Sequence, residues 1–136
     1  MIALLANERW FEDWSQPATY LWYLSTAPAE ILEFKGAQGA AIIPRQIGRM
    51  AFDVALTVAL EAMGRGRLWL HADPAGGDRL VRWSTQMVGM RTIDPAQHPK
   101  LPGSTLTGGR RNDGRYLYLD AQAALQTHAA LAPYWS

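Results

Sequence analysis

His71 is the side chain of this sequence best suited to proton transfer, because a histidine imidazole changes its charge near neutral pH. It ends the apolar run RLWLHA, where Leu68 and Leu70 share one face of a predicted strand and Trp69 and His71 share the other. A histidine placed there is a candidate general base that takes a proton from an amine nucleophile. The alternative is a hydrogen-bonded structural histidine. Asp73 follows in an Asp-Pro turn, and no third ligand at compatible spacing accompanies the pair, so we predict no metal site.

The clearest helical pattern of the chain lies between Gln46 and Met63. Apolar residues recur there at three- and four-residue spacing, which is the period of an amphipathic helix. Pro44 stands just before the pattern and Gly64 just after it, in the arrangement that is typical of helix boundaries. The sequence therefore predicts a long helix that ends directly before the strand carrying His71.

The start of this helix is a candidate phosphate site. Backbone N–H groups at a helix start have no partner within the helix, and together with the helix dipole they favour an anion such as pyrophosphate. Gly48 permits close approach, and Arg45 and Arg49 can add charge-assisted hydrogen bonds. The candidate binding residues are Arg45, Gln46, Ile47, Gly48, Arg49 and Met50. The alternative is an ordinary helix start with two solvated arginines.

Further elements must position these residues. The patterns predict strands at 1–6, 18–28, 67–72, 104–107 and 115–120, a short helix around 80–87 that Gly89 ends, and a final helix at 121–131. Residues 29–45 and most of 91–114 are predicted to be loops. Strands and helices alternate in the middle of the chain, which indicates an α/β or α+β sheet with crossover helices.

Composition limits the class of protein. A chain of 136 residues that is 49 % apolar and 18 % charged has the size and balance of one globular domain, which we assign to residues 1–136. The formal charge of +1 calls for neither a nucleic acid nor a membrane surface as partner. The absence of cysteine excludes disulfides, thiolate zinc sites and cysteine nucleophiles. With no signal peptide or apolar span recognised, we expect a cytoplasmic protein.

The order of these elements resembles the cofactor-binding half of the GNAT family, the acetyl-CoA-dependent N-acetyltransferases. Members carry a strand, an Arg/Gln-x-x-Gly-x-Gly/Ala turn opening a long helix, a second strand after a glycine, and a helix ending in an aromatic-x-x-x-Gly-Phe/Met pattern. Here the turn is RQIGRM, Gly64 closes the helix, and the later helix ends at Gly89 and Met90. The match runs in order through residues 20–90, and residues 111–124 fit a closing strand and helix more loosely.

The resemblance implies a mixed, mostly antiparallel sheet with a splayed central strand pair and flanking helices. By resemblance, the backbone of Leu24, Ser25, Thr26 and Ala27 would hydrogen-bond the pantetheine amides, and Arg45 to Met50 would hold the pyrophosphate. His71 lies on the strand that faces the acyl group in the family. The implied activity is transfer of an acetyl group from acetyl-CoA to a primary amine of a small molecule or protein, by direct attack on the thioester.

Three features depart from the family pattern. Many members carry a tyrosine four residues before the glycine of the Gly-Phe turn, where its hydroxyl can protonate the departing thiolate. Thr85 stands there in this chain, so by resemblance it is a candidate catalytic residue: either a hydroxyl or a water substitutes for the tyrosine, or the protein transfers poorly. The third glycine of the phosphate turn is Met50, and only about 19 residues precede Tyr20, where the family builds much of its substrate side. The alternative function is therefore a non-catalytic CoA-binding or protein-interaction module, and a third possibility is an α/β domain unrelated to the family.

Aromatic residues near the start of the chain bear on oligomeric state. The chain holds six tryptophans, and Trp10, Phe11 and Trp14 lie close together before the first long strand. Large aromatic side chains usually serve cores. Exposed together, these three would instead form an interface with a second copy or with a larger protein. Together with the short substrate side, this segment leads us to expect a homodimer.

Overall fold

The computed structural model describes residues 2–25, 44–61, 65–101 and 111–135. Within these ranges, five strands form one open sheet in the order β1-β2-β3-β5-β4. The strands are β1 (Ile2–Arg9), β2 (Pro17–Ser25), β3 (Leu68–His71), β4 (Arg91–Thr92) and β5 (Tyr116–Leu119). β2 and β3 run parallel, whereas the other three neighbouring pairs run antiparallel. The prediction of a mixed, mostly antiparallel α/β sheet is confirmed.

Three α-helices accompany the sheet in the described ranges. They are α1 (Pro44–Glu61), α2 (Gly77–Arg82) and α3 (Ala121–Leu131). A 3₁₀ turn at Pro74–Gly76 leads into α2, and a π-helical turn at Trp83–Met87 prolongs it. A further 3₁₀ turn, Ala132–Trp135, follows α3. None of the described helices has the length and apolar character needed to cross a bilayer.

α1 connects the two parallel strands, as a parallel pair requires a crossover rather than a tight turn. It begins at Pro44, two residues before the predicted start, and proline suits the first helical position because its missing N–H would have no partner there. Beyond its end, the N–H of Gly66 donates to the carbonyl of Ala59 at 2.8 Å. Gly66 has a φ of +86°, and a Cβ built on it would lie 2.7 Å from Cδ2 of Leu60. This turn into β3 therefore requires glycine.

Alternating side chains give the sheet two different faces. The helical face packs against α1 and α3. The core between them is mainly aliphatic, and its buried members include Leu21, Phe52, Leu56, Leu68, Leu117 and Ala124. The opposite face, called here the aromatic face, is built from Trp10, Phe11, Tyr20, Trp69, Ile93 and Tyr116. Adjacent residues of one strand, such as Leu68 and Trp69, thus belong to different cores.

Several sequence-based boundaries need correction. β1 extends through Arg9, so Asn7, Glu8 and Arg9, predicted as connection, pair with β2. β4 is a two-residue strand in a segment predicted as loop, and it is held by pairing with β5. The predicted strand at 104–107 and most of the predicted loop at 29–45 lie outside the described residues.

The aromatic segment before β2 is mostly internal. Trp10 and Phe11 are only 5 % and 6 % exposed, because their rings pack against Tyr118 and Trp69 of the aromatic face. Of the two alternatives that the sequence left open, these two residues are core residues and not an exposed interface. Trp14 is 58 % exposed and remains at the surface.

Candidate functional site

The parallel strands β2 and β3 are paired over only part of their length. Their register runs from Thr19 opposite Leu68 to Leu21 opposite Leu70. β2 then continues to Ser25, paired on its other side with β1. Leu24 and Ser25, two of the predicted pantetheine-binding residues, lie in this continuation. Thr26 and Ala27, the other two, lie outside the described residues.

A cavity of about 230 Å³, called here the cleft, opens on the helical side of the sheet beside the last paired residues of β2 and β3. Its apolar wall comes from both strands and from α1, α2 and the π turn: Leu21, Phe52, Leu70, Leu80 and Trp83. Its polar groups come from His71, Asp73 and Ser84. The apolar wall of the cleft therefore adjoins His71, the candidate general base of the sequence analysis.

His71 is oriented by a carboxylate. Its Nε2 lies 2.8 Å from Oδ2 of Asp113, and its side chain is only 15 % exposed. The ring also packs on Tyr116, with 4.6 Å between centroids. A carboxylate can only accept a hydrogen bond, so Nε2 carries the proton and donates it, which leaves Nδ1 as the basic atom of neutral His71. This arrangement prepares the ring to accept a proton.

Asp113 is held as an anion by its surroundings. Partial burial raises the pKa of its carboxyl, but hydrogen bonds from His71 and from the backbone N–H of Arg115 together lower it below the ordinary value of 3.8. The turn that carries Asp113 is fixed by its neighbour, the buried Asn112, whose Nδ2 donates to the carbonyls of Ile93 and His98. The Asn-Asp-Gly sequence signalled a turn, but nothing local indicated that its aspartate would meet His71.

Arg115 fixes the backbone at the polar end of the cleft. Its Nε donates to the carbonyl of Ala72 at 2.9 Å, and its Nη2 donates to the carbonyls of Asp73 and Gly77 at 2.8 and 3.1 Å. One side chain from the start of β5 thus fixes the segment that links β3 to α2. Sequence analysis missed this role, because the carbonyls that Arg115 binds leave no sequence signal.

A second cavity, of about 350 Å³ and called here the aromatic pocket, lies on the other side of the same strand ends. Its described lining is Tyr20, Trp22, His71, Asp73 and Pro74. Three of these residues, Trp22, His71 and Asp73, also line the cleft. The two cavities therefore adjoin at His71 from opposite faces of the sheet.

A third cavity, the basic pocket, lies next to the cleft. It is lined by Arg79, Arg82, Trp83, Gln86 and Met87, and it shares Trp83 with the cleft. α1 reaches this pocket too, since Nη2 of Arg49 lies 3.8 Å from Sδ of Met87. Cationic groups of α1 and α2 therefore meet beside one end of the cleft.

The predicted phosphate residues, Arg45 to Met50, lie in the first two turns of α1. In a helix that begins at Pro44, the carbonyl of the residue before it accepts the first intrahelical hydrogen bond, from the N–H of Ile47. Among the predicted phosphate residues, the N–H groups left without an intrahelical partner are therefore those of Arg45 and Gln46. Any anion at this helix start would meet these two groups before it met Gly48.

Thr85 is not among the described residues that line the cleft. Its hydroxyl faces the helix itself, donating to the carbonyls of Val81 and Arg82 at 3.0 and 3.2 Å. The preceding residue, Ser84, lines the cleft instead and donates to the carbonyl of Leu80. The role of Thr85 as proton donor stays a prediction.

The described residues include no group of three or more His, Asp or Glu side chains that could hold a metal ion. Comparison with protein-family models, curated proteins and solved structures found no match to this chain. The site must therefore be interpreted from its own geometry and chemistry.

Proposed function

We propose that this protein binds an acyl-CoA, with acetyl-CoA as the expected donor, and transfers the acyl group to a primary amine of a small molecule or protein. The observation that carries the proposal is the adjacency of the three cavities. The basic pocket shares Trp83 with the cleft, and the cleft shares Trp22, His71 and Asp73 with the aromatic pocket. One extended ligand and one second reactant can therefore meet at an oriented imidazole.

The polarity along these cavities suits an acyl-CoA. Arg49, Arg79 and Arg82 border the end where phosphates would bind, and Arg-phosphate contacts are strong because they are charge-assisted. The apolar wall of the cleft suits the pantetheine chain. Beyond Leu21, the edge of β2 that faces β3 is not used in the described β2–β3 pairing, so its backbone groups are suited to hydrogen-bond the pantetheine amides.

The amine would enter through the aromatic pocket. Nδ1 of His71 takes a proton from the bound ammonium group, and the neutral amine attacks the thioester carbonyl carbon. The new C–N bond forms as the C–S bond breaks, and the leaving thiolate takes up the second proton lost by nitrogen. Asp113 is a positioning residue in this scheme, since it fixes the ring and its tautomer through Nε2. The protein contributes mainly proximity and proton transfer.

The chain order of the elements supports the resemblance to GNAT enzymes. The β1–β2 hairpin leads into the proposed cofactor strand, α1 crosses over to the parallel β3, and α2 follows. In the GNAT interpretation, the end of the β2–β3 pairing beyond Leu21 would be the splay that admits the donor.

Thr85 favours a second candidate, a CoA-binding module without catalysis. Its hydroxyl hydrogen bonds to two backbone carbonyls, so it is poorly placed to protonate a leaving thiolate. Under this alternative the protein binds acyl-CoA and does not turn it over. Binding and turnover must therefore be measured separately.

Isothermal titration with acetyl-CoA tests the binding step. We expect micromolar affinity, and an Arg49→Ala/Arg79→Ala double variant should bind about 100-fold more weakly through the loss of two charge-assisted contacts. Arg91→Ala, which removes an exposed arginine from β4, is the matched control and should bind normally. Failure of the unaltered protein to bind millimolar acetyl-CoA would overturn the proposal.

Turnover is followed as CoA thiol released in the presence of a panel of primary amines. His71→Ala should abolish the release while leaving acetyl-CoA binding intact. Binding with no amine-dependent release from the unaltered protein would establish the non-catalytic module instead.

A further inference from the structure

The aromatic pocket combines two features that both attract organic cations. Tyr20 and Trp22 form an edge-to-face aromatic pair, with 5.6 Å between ring centroids and 80° between ring planes. Two carboxylates stand near them: Asp73 lines the pocket directly, and Asp113 lies behind His71. Ring faces carry partial negative charge and bind ammonium groups, and a carboxylate does so more strongly.

We infer that the aromatic pocket selects an acceptor that is an organic ammonium ion with an apolar carbon skeleton and no carboxylate beside its nitrogen. Asp73 would hold the ammonium group, while Trp22, packed against the buried Tyr20, would cover the carbon skeleton. This inference rests on the proposed function, because the bound amine is an acceptor only if the protein transfers an acyl group. Binding of the amine itself requires no acyl-CoA.

Asp73 is fixed in place and still able to bind a ligand. Its Oδ1 accepts the N–H of Ala75 at 2.9 Å, which caps the 3₁₀ turn and sets the orientation of the carboxylate. Oδ2 is left for a ligand, and the side chain is exposed. Asp73 follows His71 by two residues, and both side chains line the aromatic pocket. An ammonium held by Asp73 would therefore lie in the same pocket as the imidazole that would deprotonate it.

Arg115 brings a positive charge close to Asp73, but it is absent from the described lining of the aromatic pocket. Its Nε and Nη2 point to the carbonyls of Ala72, Asp73 and Gly77. When the His71 imidazole is neutral, Asp73 is the one charged residue among those described as lining the aromatic pocket. A ligand carboxylate at the same place would meet Asp73 as a like charge, which disfavours amino acids with a free α-carboxylate.

Trp22 supplies the apolar surface. It is 36 % exposed and lines both the aromatic pocket and the cleft. A carbon skeleton packed on this ring would bury area on both molecules and bring the amine toward the junction of the cavities. The affinity for an acceptor should therefore depend on its chain length and aromatic content in addition to its charge.

The test compares three probes of one shape, added to the full chain without acyl-CoA. They are 2-phenylethylamine, which has the ammonium alone, phenylalanine, which adds a carboxylate, and 3-phenylpropanoate, which has the carboxylate alone. Chemical-shift titration should show 2-phenylethylamine binding at least about tenfold more tightly than either of the others. Equal affinities for the three probes would overturn the inference.

Matched variants locate the binding. Asp73→Asn should weaken 2-phenylethylamine binding about tenfold or more, whereas Asp78→Asn, the same change on the exposed first turn of α2, should not. Trp22→Leu should weaken it as well, whereas Trp14→Leu, on the exposed turn between β1 and β2, should leave it unaltered. An Asp73→Asn variant that binds as tightly as Asp78→Asn would contradict the inference, provided circular dichroism shows both to be folded.

The two proposals fail in different ways. Discrimination among the probes without acetyl-CoA binding would remove the transferase and leave an ammonium-binding pocket. Acetyl-CoA binding without discrimination would leave the donor site and remove this acceptor class.

Discussion

Nε2 of His71 lies 2.8 Å from Oδ2 of Asp113, so a single hydrogen bond joins the end of β3 to the turn that precedes β5. The two residues are 42 positions apart in the chain. The tautomer of His71 therefore depends on the turn that carries Asp113, although no described residue of that turn lines the cleft.

Asp113→Asn should lower kcat about 100-fold and leave acetyl-CoA affinity nearly unchanged. An asparagine amide can donate to Nε2 and so favours the tautomer in which Nδ1 is protonated and no longer basic. Its Oδ1 still accepts the N–H of Arg115, so the turn is preserved. Asp94→Asn is the matched control, because Asp94 accepts the N–H of Ala96 in a similar turn. Equal kcat values for the two variants would contradict the positioning role.

The same pair makes stability depend on pH. Folding lowers the pKa of Asp113 below 3.8, so its stabilisation is fully present above the unfolded value and is lost as the pH falls through the folded value. Urea unfolding of the unaltered protein and of Asp113→Asn should therefore give a larger difference at pH 6 than at pH 3. Asp13, whose carboxyl pKa is also lowered, is present in both proteins and cancels from the comparison. A difference that is the same at both pH values would argue against this linkage.

His128→Ala should reduce the free energy of unfolding by about 1–3 kcal/mol. Nδ1 of His128 on α3 lies 2.6 Å from Oδ1 of Asp53 on α1, and the Asp53 side chain is only 4 % exposed. Removing the imidazole takes one hydrogen-bond partner from a buried carboxylate. Gln126→Ala, at an exposed position of the same helix, should change stability little. Similar unfolding curves for the two variants would show that this pair adds nothing to stability.

Leu117→Ala should cost about 2–5 kcal/mol of unfolding free energy, because Leu117 is fully buried under α1 and α3 and its truncation leaves a cavity. Leu125→Ala removes the same atoms from a side chain that is 58 % exposed and should change stability by less than about 0.5 kcal/mol. The two are compared by urea denaturation at one pH. A small effect at Leu117 would mean that the helical face of the sheet is less well packed than described.

Local patterns were enough to predict the elements that are regular over several turns. The three- and four-residue spacing placed α1 to within two residues at each end that the structure assigns, and the residues of α3 were predicted as observed. The face shared by Trp69 and His71 followed from strand alternation. Each of these inferences depends only on the spacing of residues that are close in the chain, so the sequence alone was enough to make them.

The rest of the site depends on contacts between distant residues. β4 has two residues and no period of its own, and it exists because β5 pairs with it. Asp113 and Arg115 sit in a turn whose sequence predicts bending but not the partners brought to it by the sheet. Trp10 and Phe11 could be either exposed or buried until the aromatic face was assembled around them.

β5 follows β4 in the chain and yet lies between β3 and β4 in the sheet. During synthesis, β3 and β4 emerge from the ribosome before the strand that separates them. Until β5 emerges, β3 presents an open hydrogen-bonding edge, and such edges invite pairing with other chains. In a nascent chain this edge of β3 is therefore protected only after β5 has emerged and paired with it, however early the β1–β2 hairpin forms.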